Sequence, residues 1–249
     1  MKQGKINVQT ENIFPIIKKF LYSDTEIFLR ELVSNAVDAC QKLKTLSSTG
    51  EYKGSLDDFK VEVILDADKK TLTIRDNGVG MSAEEVDKYI NQIAFSGAEE
   101  FVQKYKDAKD SNAIIGHFGL GFYSSFMVSD KVQIVTKSFR EGEQAVVWES
   151  DGTPEYTITE SDKSTQGTDI ILHVSDESKE YLEDARISTI LNKYCKFLPV
   201  SIVYGTKTEQ IDSPEGKKDK DGNIEKESIE VPNIINNPNP AWIKKPADL

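Results

Sequence analysis

A long amphipathic helix is the first element that the pattern of apolar and polar positions predicts. Apolar residues recur at helical spacing from about Asp24 to Leu46, and the preceding Ser23-x-x-Glu26 indicates a capping box. On this helix Glu31, Asn35 and Asp38 lie at positions i, i+4 and i+7 and therefore share one face. Polar groups in an apolar wall either pair with one another or serve a ligand, and the helix alone leaves both possibilities open.

The rest of the pattern predicts strands and further helices without strict alternation. Helical spacing continues over 82–93, 98–106 and 187–197. Alternating or β-branched residues predict strands at 59–65, 71–75, 132–136, 144–149, 155–159 and 169–174, of which the first two form a hairpin. Because strands and helices do not alternate as in parallel βαβ units, we expect an α+β fold.

Composition narrows the classes of function. The chain has 249 residues, 38% of them hydrophobic, which suffices for a domain with a substantial core and excludes disorder of the whole chain. A formal net charge of −11 provides no basic surface, so we expect no nucleic-acid partner. An anionic ligand would need a metal ion or backbone N–H groups to offset its charge.

Cysteine and histidine content argues against a disulfide framework and against a zinc site. Cys40 and Cys195 are the only cysteines and lack C-x-x-C spacing, and His117 and His173 are the only histidines. The amino terminus has no hydrophobic signal region, and glycines interrupt the apolar stretch 113–128. We therefore expect a soluble, cytoplasmic protein without membrane contact.

A change of composition near residue 206 predicts a domain boundary. Residues 1–205 form the predicted domain, and 206–235 have the charged, glycine-containing composition of a linker. Residues 236–249 regain apolar side chains. We expect this last segment to begin a further, truncated domain, so that the chain is the amino-terminal part of a longer protein.

Two glycine motifs add candidate chemistry. In Asp76-Asn77-Gly78-x-Gly80, Asn-Gly alone indicates a turn, whereas Asp76 could accept a hydrogen bond from an exocyclic amino group of a ligand approaching the glycines. Gly116-x-x-Gly119-x-Gly121 is either a flexible connector or a loop that offers N–H groups to a phosphate at a helix start. It matches neither the Walker A loop nor the dinucleotide fingerprint. Gly167-Thr168 begins a predicted strand and by itself indicates little beyond ordinary use in a turn.

The polar residues on the shared face of the long helix could act on a bound phosphate. Glu31 could orient or deprotonate a water molecule, and the side-chain oxygen of Asn35 could ligate Mg²⁺, a hard ion that prefers oxygen. Taken together, the segments 31–39, 76–81, 116–124 and 167–168 resemble the GHKL nucleotide-binding superfamily. Residues 22–32 and 119–124 are similar to one branch, the 90-kDa heat-shock protein chaperones of the bacterial HtpG type. The likeness covers roughly residues 5–204, and residues 242–246 are similar to the start of that family's middle domain.

The resemblance implies a two-layer α/β sandwich, a curved mixed sheet with helices on one face, that binds ATP or ADP with Mg²⁺. Glu31 would be the catalytic general base, Asn35 would hold the metal, and Asp76 would bind the adenine amino group. A lid from about residue 91 to 121 would close over the nucleotide. The other nucleotide-binding residues that the resemblance implies are Asp38, Ala39, Gly80, Met81, Gly116, His117, Phe118, Gly119, Leu120, Gly121, Phe122 and Thr168.

This sequence departs from the family's commonest pattern at the lid. Phe95 stands where many members have a lysine, Tyr89 where asparagine is common, and His117 where glutamine is usual. No arginine in the motifs is a candidate for stabilising the γ-phosphate, which the family supplies from its middle domain. We therefore expect this chain to bind ATP and ADP but to hydrolyse ATP slowly.

The resemblance also implies partners and a working cycle. ATP binding would promote contacts within a homodimer, with residues 4–10 exchanged between protomers, and would drive a chaperone cycle on client proteins in the stress response. Two alternatives remain. One is a GHKL ATPase of the topoisomerase or mismatch-repair type, which the acidic balance and the match over residues 22–32 oppose. The other is a non-hydrolysing nucleotide-binding module in which Glu31 is structural.

Overall fold

The computed structural model describes most of the chain from residue 24 to residue 240. The described residues are 24–55, 58–92, 97–105, 114–116, 119–212, 226–238 and 240. Several predictions fall outside them: the exchanged segment 4–10, part of the lid, the site residues His117 and Phe118, and nearly all of the further domain predicted from residue 236 onward.

An eight-stranded sheet forms one layer of the fold. The strands in chain order are β1 Lys60–Asp66, β2 Thr71–Asp76, β3 Ser129–Lys137, β4 Val146–Ser150, β5 Thr157–Glu160, β6 Gly167–Val174, β7 Ser201–Asp212 and β8 Lys226–Ile234. Their order across the sheet is β5-β4-β3-β6-β2-β1-β7-β8. The sheet is mixed, because β1 and β7 are parallel while the other neighbouring strands are antiparallel.

Helices form the second layer. They are α1 Ile27–Ser48, α2 Ala83–Tyr89, α3 Gly97–Lys104 and α4 Asp184–Tyr194, with the 3-10 helices η1 Gly121–Met127 and η2 Asp176–Leu182. Alternate residues of the central strands, such as Val61 and Leu72, are fully buried, whereas the residues between them are half-buried or exposed. One apolar face of the sheet therefore packs against the helices, which confirms the α+β prediction. Among the described residues, no helix combines the length and the apolar character needed to span a membrane.

The central helix α1 begins later than predicted. It begins at Ile27, with Glu26 as the N-cap residue and no side-chain hydrogen bond at the cap. The Glu26 carboxylate instead accepts a hydrogen bond from the Tyr194 hydroxyl at 2.7 Å, is bonded by Lys193, and pairs with Arg186 at 3.1 Å. The predicted capping box is therefore corrected, because the Glu26 carboxylate joins α1 to α4.

Two other predicted helices differ from the observed elements. The helix predicted over 82–93 ends at Tyr89, and it begins with a capping box in which the Ser82 hydroxyl accepts from the Glu85 N–H at 3.3 Å. The element after the glycine loop is the seven-residue 3-10 helix η1 rather than an α-helix. The glycine loop therefore does not lead into an α-helix amino terminus.

Strands β7 and β8 pair with each other within residues 206–235, the segment predicted to be a linker. Their outer parts, 206–212 and 226–232, pair as an antiparallel ribbon whose side chains are mostly exposed. Beyond the ribbon, Asn236 fixes the chain to the domain, since its Nδ2 donates to the Val200 carbonyl at 2.8 Å. A ribbon exposed on both faces has the polar composition of a linker, which is why composition did not reveal the pairing. The domain boundary itself stays a prediction.

Candidate functional site

The predicted site residues line one cavity between the helices and the sheet. Its volume is about 1080 Å³. Within the part of the chain that the structure describes, all thirteen predicted residues contribute to its wall: Glu31, Asn35, Asp38, Ala39, Asp76, Gly80, Met81, Gly116, Gly119, Leu120, Gly121, Phe122 and Thr168. The fold thus brings the separate motifs together, while the role of each residue stays a prediction.

Asn35 lies between the two ends of the glycine loop, residues 116–121. A Cβ atom added to Gly116 would lie 3.6 Å from Asn35 Oδ1, and one added to Gly121 would lie 3.6 Å from Asn35 Nδ2. The amide oxygen of Asn35 therefore faces the loop predicted to bind phosphates.

Asp38 anchors the start of the glycine loop to α1. Its Oδ1 accepts the Ile115 N–H at 2.8 Å, and its Oδ2 accepts the Gly116 N–H at 2.7 Å. The side chain is buried. Backbone N–H groups thus occupy both carboxylate oxygens, which supports a role in holding the loop rather than in direct contact with a nucleotide.

Glu31 lies at the other end of the glycine loop. Arg30 Nε donates to Glu31 Oε1 at 3.0 Å, and Arg30 Nη2 binds the same oxygen. Glu31 Oε2 faces Gly121, where an added Cβ atom would lie within 2.8 Å of it. Arg30 is absent from the predicted set because consecutive residues of a helix do not face each other, so this pairing depends on side-chain conformation.

Asp76 ends β2 at the floor of the cavity and is 6% exposed. Its Oδ1 accepts the Gly78 N–H at 2.8 Å. Burial raises the pKa of the Asp76 carboxyl to about 7, an effect that the Gly78 N–H opposes and the nearby charge of Asp169 reinforces. A buried carboxyl in a cavity wall is a strong acceptor for a ligand amino group once it is ionised.

The glycines that follow Asp76 are explained by the protein's own backbone. A Cβ atom added to Gly78 would lie 2.4 Å from the Ala39 carbonyl carbon, and one added to Gly80 would lie 1.8 Å from the Lys137 carbonyl oxygen. Gly80 also has a positive φ of 59°. Neighbouring backbone thus requires glycine at both positions, and the close approach of a ligand to them stays a prediction.

Replacing Gly80 with alanine is expected to destabilise the domain strongly. A left-handed φ costs a non-glycine residue about 1–2 kcal/mol, and the clash with Lys137 adds about 1–3 kcal/mol. We therefore expect Gly80→Ala to lower the free energy of unfolding by about 3 kcal/mol in urea denaturation. The matched control is Gly142→Ala, since Gly142 has a φ of 84° but no atom within 4 Å of an added Cβ. Equal losses in the two variants would contradict the packing explanation.

Met81 and Thr168 both contact the buried hydroxyl of Thr136. The Met81 N–H donates to Thr136 Oγ1 at 2.9 Å, and the Thr136 and Thr168 hydroxyls are 2.9 Å apart. Gly167, with a φ of 112°, packs so closely that an added Cβ would lie 2.2 Å from the Asp76 carbonyl oxygen. The pair Gly167-Thr168, which by itself indicates little, therefore joins β6 to the strand that carries Asp76.

The helix α3, inside the predicted lid, lies along the far end of the cavity. Lys88 Nζ donates to Glu100 Oε2 at 2.7 Å, and the Tyr105 hydroxyl donates to Glu51 Oε2 at 2.8 Å. The Tyr89 hydroxyl also donates to Glu100, at 3.3 Å. These bonds connect α3 to α2 on one side and to the loop after α1 on the other. Lid closure itself stays a prediction.

Lys42 lines the cavity but is absent from the predicted set. Its Nζ lies 5.7 Å from the centre of the Phe101 ring of α3. Desolvation in the cavity lowers the pKa of the Lys42 ammonium group, against the opposing effect of Asp38. Helical spacing could have predicted this residue, because Lys42 lies on the same helical face as Glu31, Asn35 and Asp38.

The protein oxygens in the cavity suit a Mg²⁺ ion that is also bound by the phosphates of a ligand. Among the residues described, no group of three or more histidine, cysteine, aspartate or glutamate side chains is arranged to hold a metal ion. Asn35 offers one amide oxygen beside the glycine loop. Mg²⁺ in nucleotide sites usually takes one or two protein oxygens and completes its shell with water and phosphate. The donor set therefore suits a nucleotide-bound ion.

Comparison with known proteins gives a family match over most of this fold. The family model described as histidine kinase-, DNA gyrase B-, and HSP90-like ATPase matches residues 22–180. The match includes every predicted site residue.

Individual relatives match the whole chain or most of it. It is 59% identical over 249 residues to Chaperone protein htpG of Bacteroides fragilis (strain 638R), covering 100% of this chain and 34% of the relative. It is 57% identical over 248 residues to Chaperone protein HtpG of Porphyromonas gingivalis (strain W83), with the same coverage. The mitochondrial TNF receptor-associated protein 1 homolog of Dictyostelium discoideum is 39% identical over 198 residues, 78% of this chain and 28% of the relative. The chain thus spans about a third of the length of these relatives.

Proposed function

The chain belongs to the histidine kinase-, DNA gyrase B- and HSP90-like ATPases, and we propose that it is the nucleotide-binding domain of an ATP-dependent molecular chaperone. It binds ATP and ADP with Mg²⁺ in the cavity under α3. The observation that carries the proposal is the convergence of thirteen residues from four separate motifs on that single cavity.

The base subsite of the proposal is the floor of the cavity. The Asp76 carboxylate accepts a hydrogen bond from the adenine amino group, beside the backbone of Gly80 and Met81. Thr168, held by the Thr136 hydroxyl at 2.9 Å, fixes the same wall. The support for this assignment is that Asp76 is the buried carboxyl at the end of β2 and lines the cavity.

The phosphate subsite of the proposal is the glycine loop. Gly119, Leu120, Gly121 and Phe122 offer backbone N–H groups to the phosphates, while Asp38 holds the start of the loop. Bound Mg²⁺ would neutralise phosphate charge, with Asn35 supplying the one protein oxygen. Glu31 accepts a proton from the attacking water through Oε2, the oxygen that faces Gly121, since Oε1 is bound by Arg30.

The activity of the longer protein is part of the proposal. The relatives of this chain are named chaperones, and the chain spans about a third of their length. On the resemblance stated above, the longer protein works in the cytoplasm as a homodimer in which ATP binding closes the lid and drives a cycle on client proteins. Stabilisation of the γ-phosphate by an arginine from outside this chain would make the fragment a slow ATPase.

Thermal unfolding with ADP tests nucleotide binding directly. At 100 times the dissociation constant, ADP with Mg²⁺ should add about 2.7 kcal/mol to the free energy of unfolding and raise the melting temperature by several degrees. GDP is the control, because its base presents a carbonyl where adenine presents an amino group to Asp76. Equal stabilisation by GDP and ADP would contradict the base subsite, and no stabilisation by ADP would contradict the function.

Binding of the base should also depend on pH through Asp76. Its pKa of about 7 in the folded chain lies above the value of about 3.9 expected in the unfolded chain. The stabilising contribution of the protonated group is therefore full below about pH 4 and is lost as the pH rises through 7. A ligand held by the ionised form binds better above pH 7, and its affinity falls by up to tenfold per pH unit below that.

Adenosine is the probe for this pH dependence, because the phosphates of ADP titrate in the same range. We expect its affinity, measured by chemical-shift titration, to rise between pH 5.5 and 7 and to level off by pH 8. Constant affinity from pH 5.5 to 8.5 would contradict the role of ionised Asp76.

A further inference from the structure

Trp148 on β4 contacts both ends of the predicted lid. Its side chain is 4% exposed. The indole Nε1–H donates to Asn91 Oδ1 at 2.9 Å, just after α2. The same indole meets the Phe122 ring edge to face, with ring centres 5.6 Å apart and an interplanar angle of 74°. Phe122 directly follows Gly121, the last glycine of the loop that contains the phosphate subsite.

A second tie joins the same two places. The Tyr123 hydroxyl donates to the Ile90 carbonyl oxygen, which lies next to Asn91. Asn91 is itself oriented, because its Nδ2 donates to Asp87 Oδ1 of α2 at 2.9 Å. The segment after α2 and the end of the glycine loop are thus joined by two sets of contacts, one through Trp148 and one through Tyr123.

The sheet makes Trp148 a rigid support. Trp148 pairs with Ile134 of β3 on one side and with Ile158 of β5 on the other. Phe122 packs on this support, and Gly121 before it lies against Glu31, since a Cβ atom added to Gly121 would lie 2.8 Å from Glu31 Oε2. A shift of the Phe122 ring would therefore change the position of the Gly121 backbone relative to the Glu31 carboxylate.

We propose that Trp148 is a positioning residue for the phosphate subsite, and that its hydrogen bond to Asn91 fixes the indole on which Phe122 and the end of the glycine loop rest. The proposal rests on the proposed nucleotide-binding function. Trp148 is not among the residues that line the cavity, so it does not touch a nucleotide bound there. It acts through Phe122 on the N–H groups of the loop, so its effect concerns phosphate binding and leaves base binding at Asp76 unchanged.

The test compares ADP with adenosine, which lacks the phosphates. Trp148→Phe keeps an aromatic ring beside Phe122 but removes the N–H donor, and Asn91→Ala removes the acceptor from a partly exposed position. We expect each variant to lower the affinity for ADP with Mg²⁺ about five-fold, the usual cost of ordering one loosened side chain on binding, and to leave the affinity for adenosine within two-fold. The double variant should also lose about five-fold, because both changes remove the same bond.

Tyr156→Phe is the matched control. It removes the hydrogen bond from the Tyr156 hydroxyl to Asp87 at 3.1 Å in the same aromatic cluster, while the Trp148–Asn91 bond stays. We expect its ADP affinity to match the wild type. An unchanged ADP affinity in Asn91→Ala, a proportional loss for adenosine, or an equal loss in Tyr156→Phe would each overturn the proposal. If the wild-type chain binds no ADP, the proposed function fails instead, which is a separate result.

Discussion

Replacing Asp76 with asparagine is expected to lower the affinity for ADP about 100-fold. The Gly78 N–H requires an acceptor at this side chain, which the carboxylate provides at 2.8 Å. An asparagine has one oxygen, so satisfying Gly78 turns its NH₂ group towards the adenine amino group and sets two donors against each other. The loss of a charged acceptor in a buried site then adds to this mismatch, and the two effects together correspond to about 2–3 kcal/mol. Isothermal titration calorimetry with ADP and Mg²⁺ measures the change.

The matched control for Asp76→Asn is Asp66→Asn. Asp66 also ends a strand, and its Oδ1 accepts the Lys69 N–H at 2.9 Å, but it lies at the exposed hairpin turn away from the cavity. We expect the control to bind ADP like the wild type. Normal ADP binding by folded Asp76→Asn would show that the base subsite is assigned to the wrong residue.

Replacing Glu31 with glutamine is expected to lower ATP turnover about 100-fold or more in the longer protein that includes the following domain. A positioned general base typically contributes 10²- to 10⁴-fold, and glutamine keeps the shape of the side chain but cannot accept the proton. The affinity for ADP should stay within about two-fold of the wild type, because Glu31 acts on water and not on the base subsite. Steady-state phosphate release and calorimetry measure the two quantities.

Glu62→Gln provides the control for the Glu31 experiment. Glu62 lies on the uncovered face of the sheet and pairs with Lys60 at 2.9 Å, so its loss changes charge without reaching the cavity. Turnover should be unchanged in this variant. Unchanged turnover in Glu31→Gln would contradict the assignment of Glu31 as the general base.

Local periodicity was sufficient to predict the helical side of the site. The stripe of Glu31, Asn35 and Asp38 follows from the spacing of residues on one helix, and the structure places all three in the cavity wall. The hairpin of β1 and β2, which leads to Asp76, follows from alternation and a short turn. These features depend on neighbours in sequence, so the sequence contains the information that specifies them.

Contacts between distant segments could not be predicted in the same way. Gly80 is required by the carbonyl of Lys137, and Gly167 by the backbone of Asp76, neither of which is a neighbour in sequence. The sequence therefore shows where these glycines lie but not which backbone atoms require them. Trp148 likewise has no motif, because its importance arises from two contacts made across the fold.

Burial also changed the interpretation of polar residues. Glu26 has the spacing of a capping residue, yet its carboxylate is buried between α1 and α4 and bonded to Tyr194. The polar ribbon of β7 and β8 has linker composition because both of its faces meet solvent. A polar composition indicates that a segment is exposed to solvent. It does not show whether that segment forms a strand pair or is an unpaired linker.

A crystal structure of this chain with ADP and Mg²⁺ tests directly whether these motifs form one nucleotide site. We expect the adenine amino group to lie within hydrogen-bonding distance of the Asp76 carboxylate, the Asn35 side-chain oxygen to coordinate the metal, and the phosphates to meet the N–H groups of residues 119–122. A nucleotide bound elsewhere, or bound in the cavity with its base away from Asp76, would contradict the claim that these motifs form one nucleotide site.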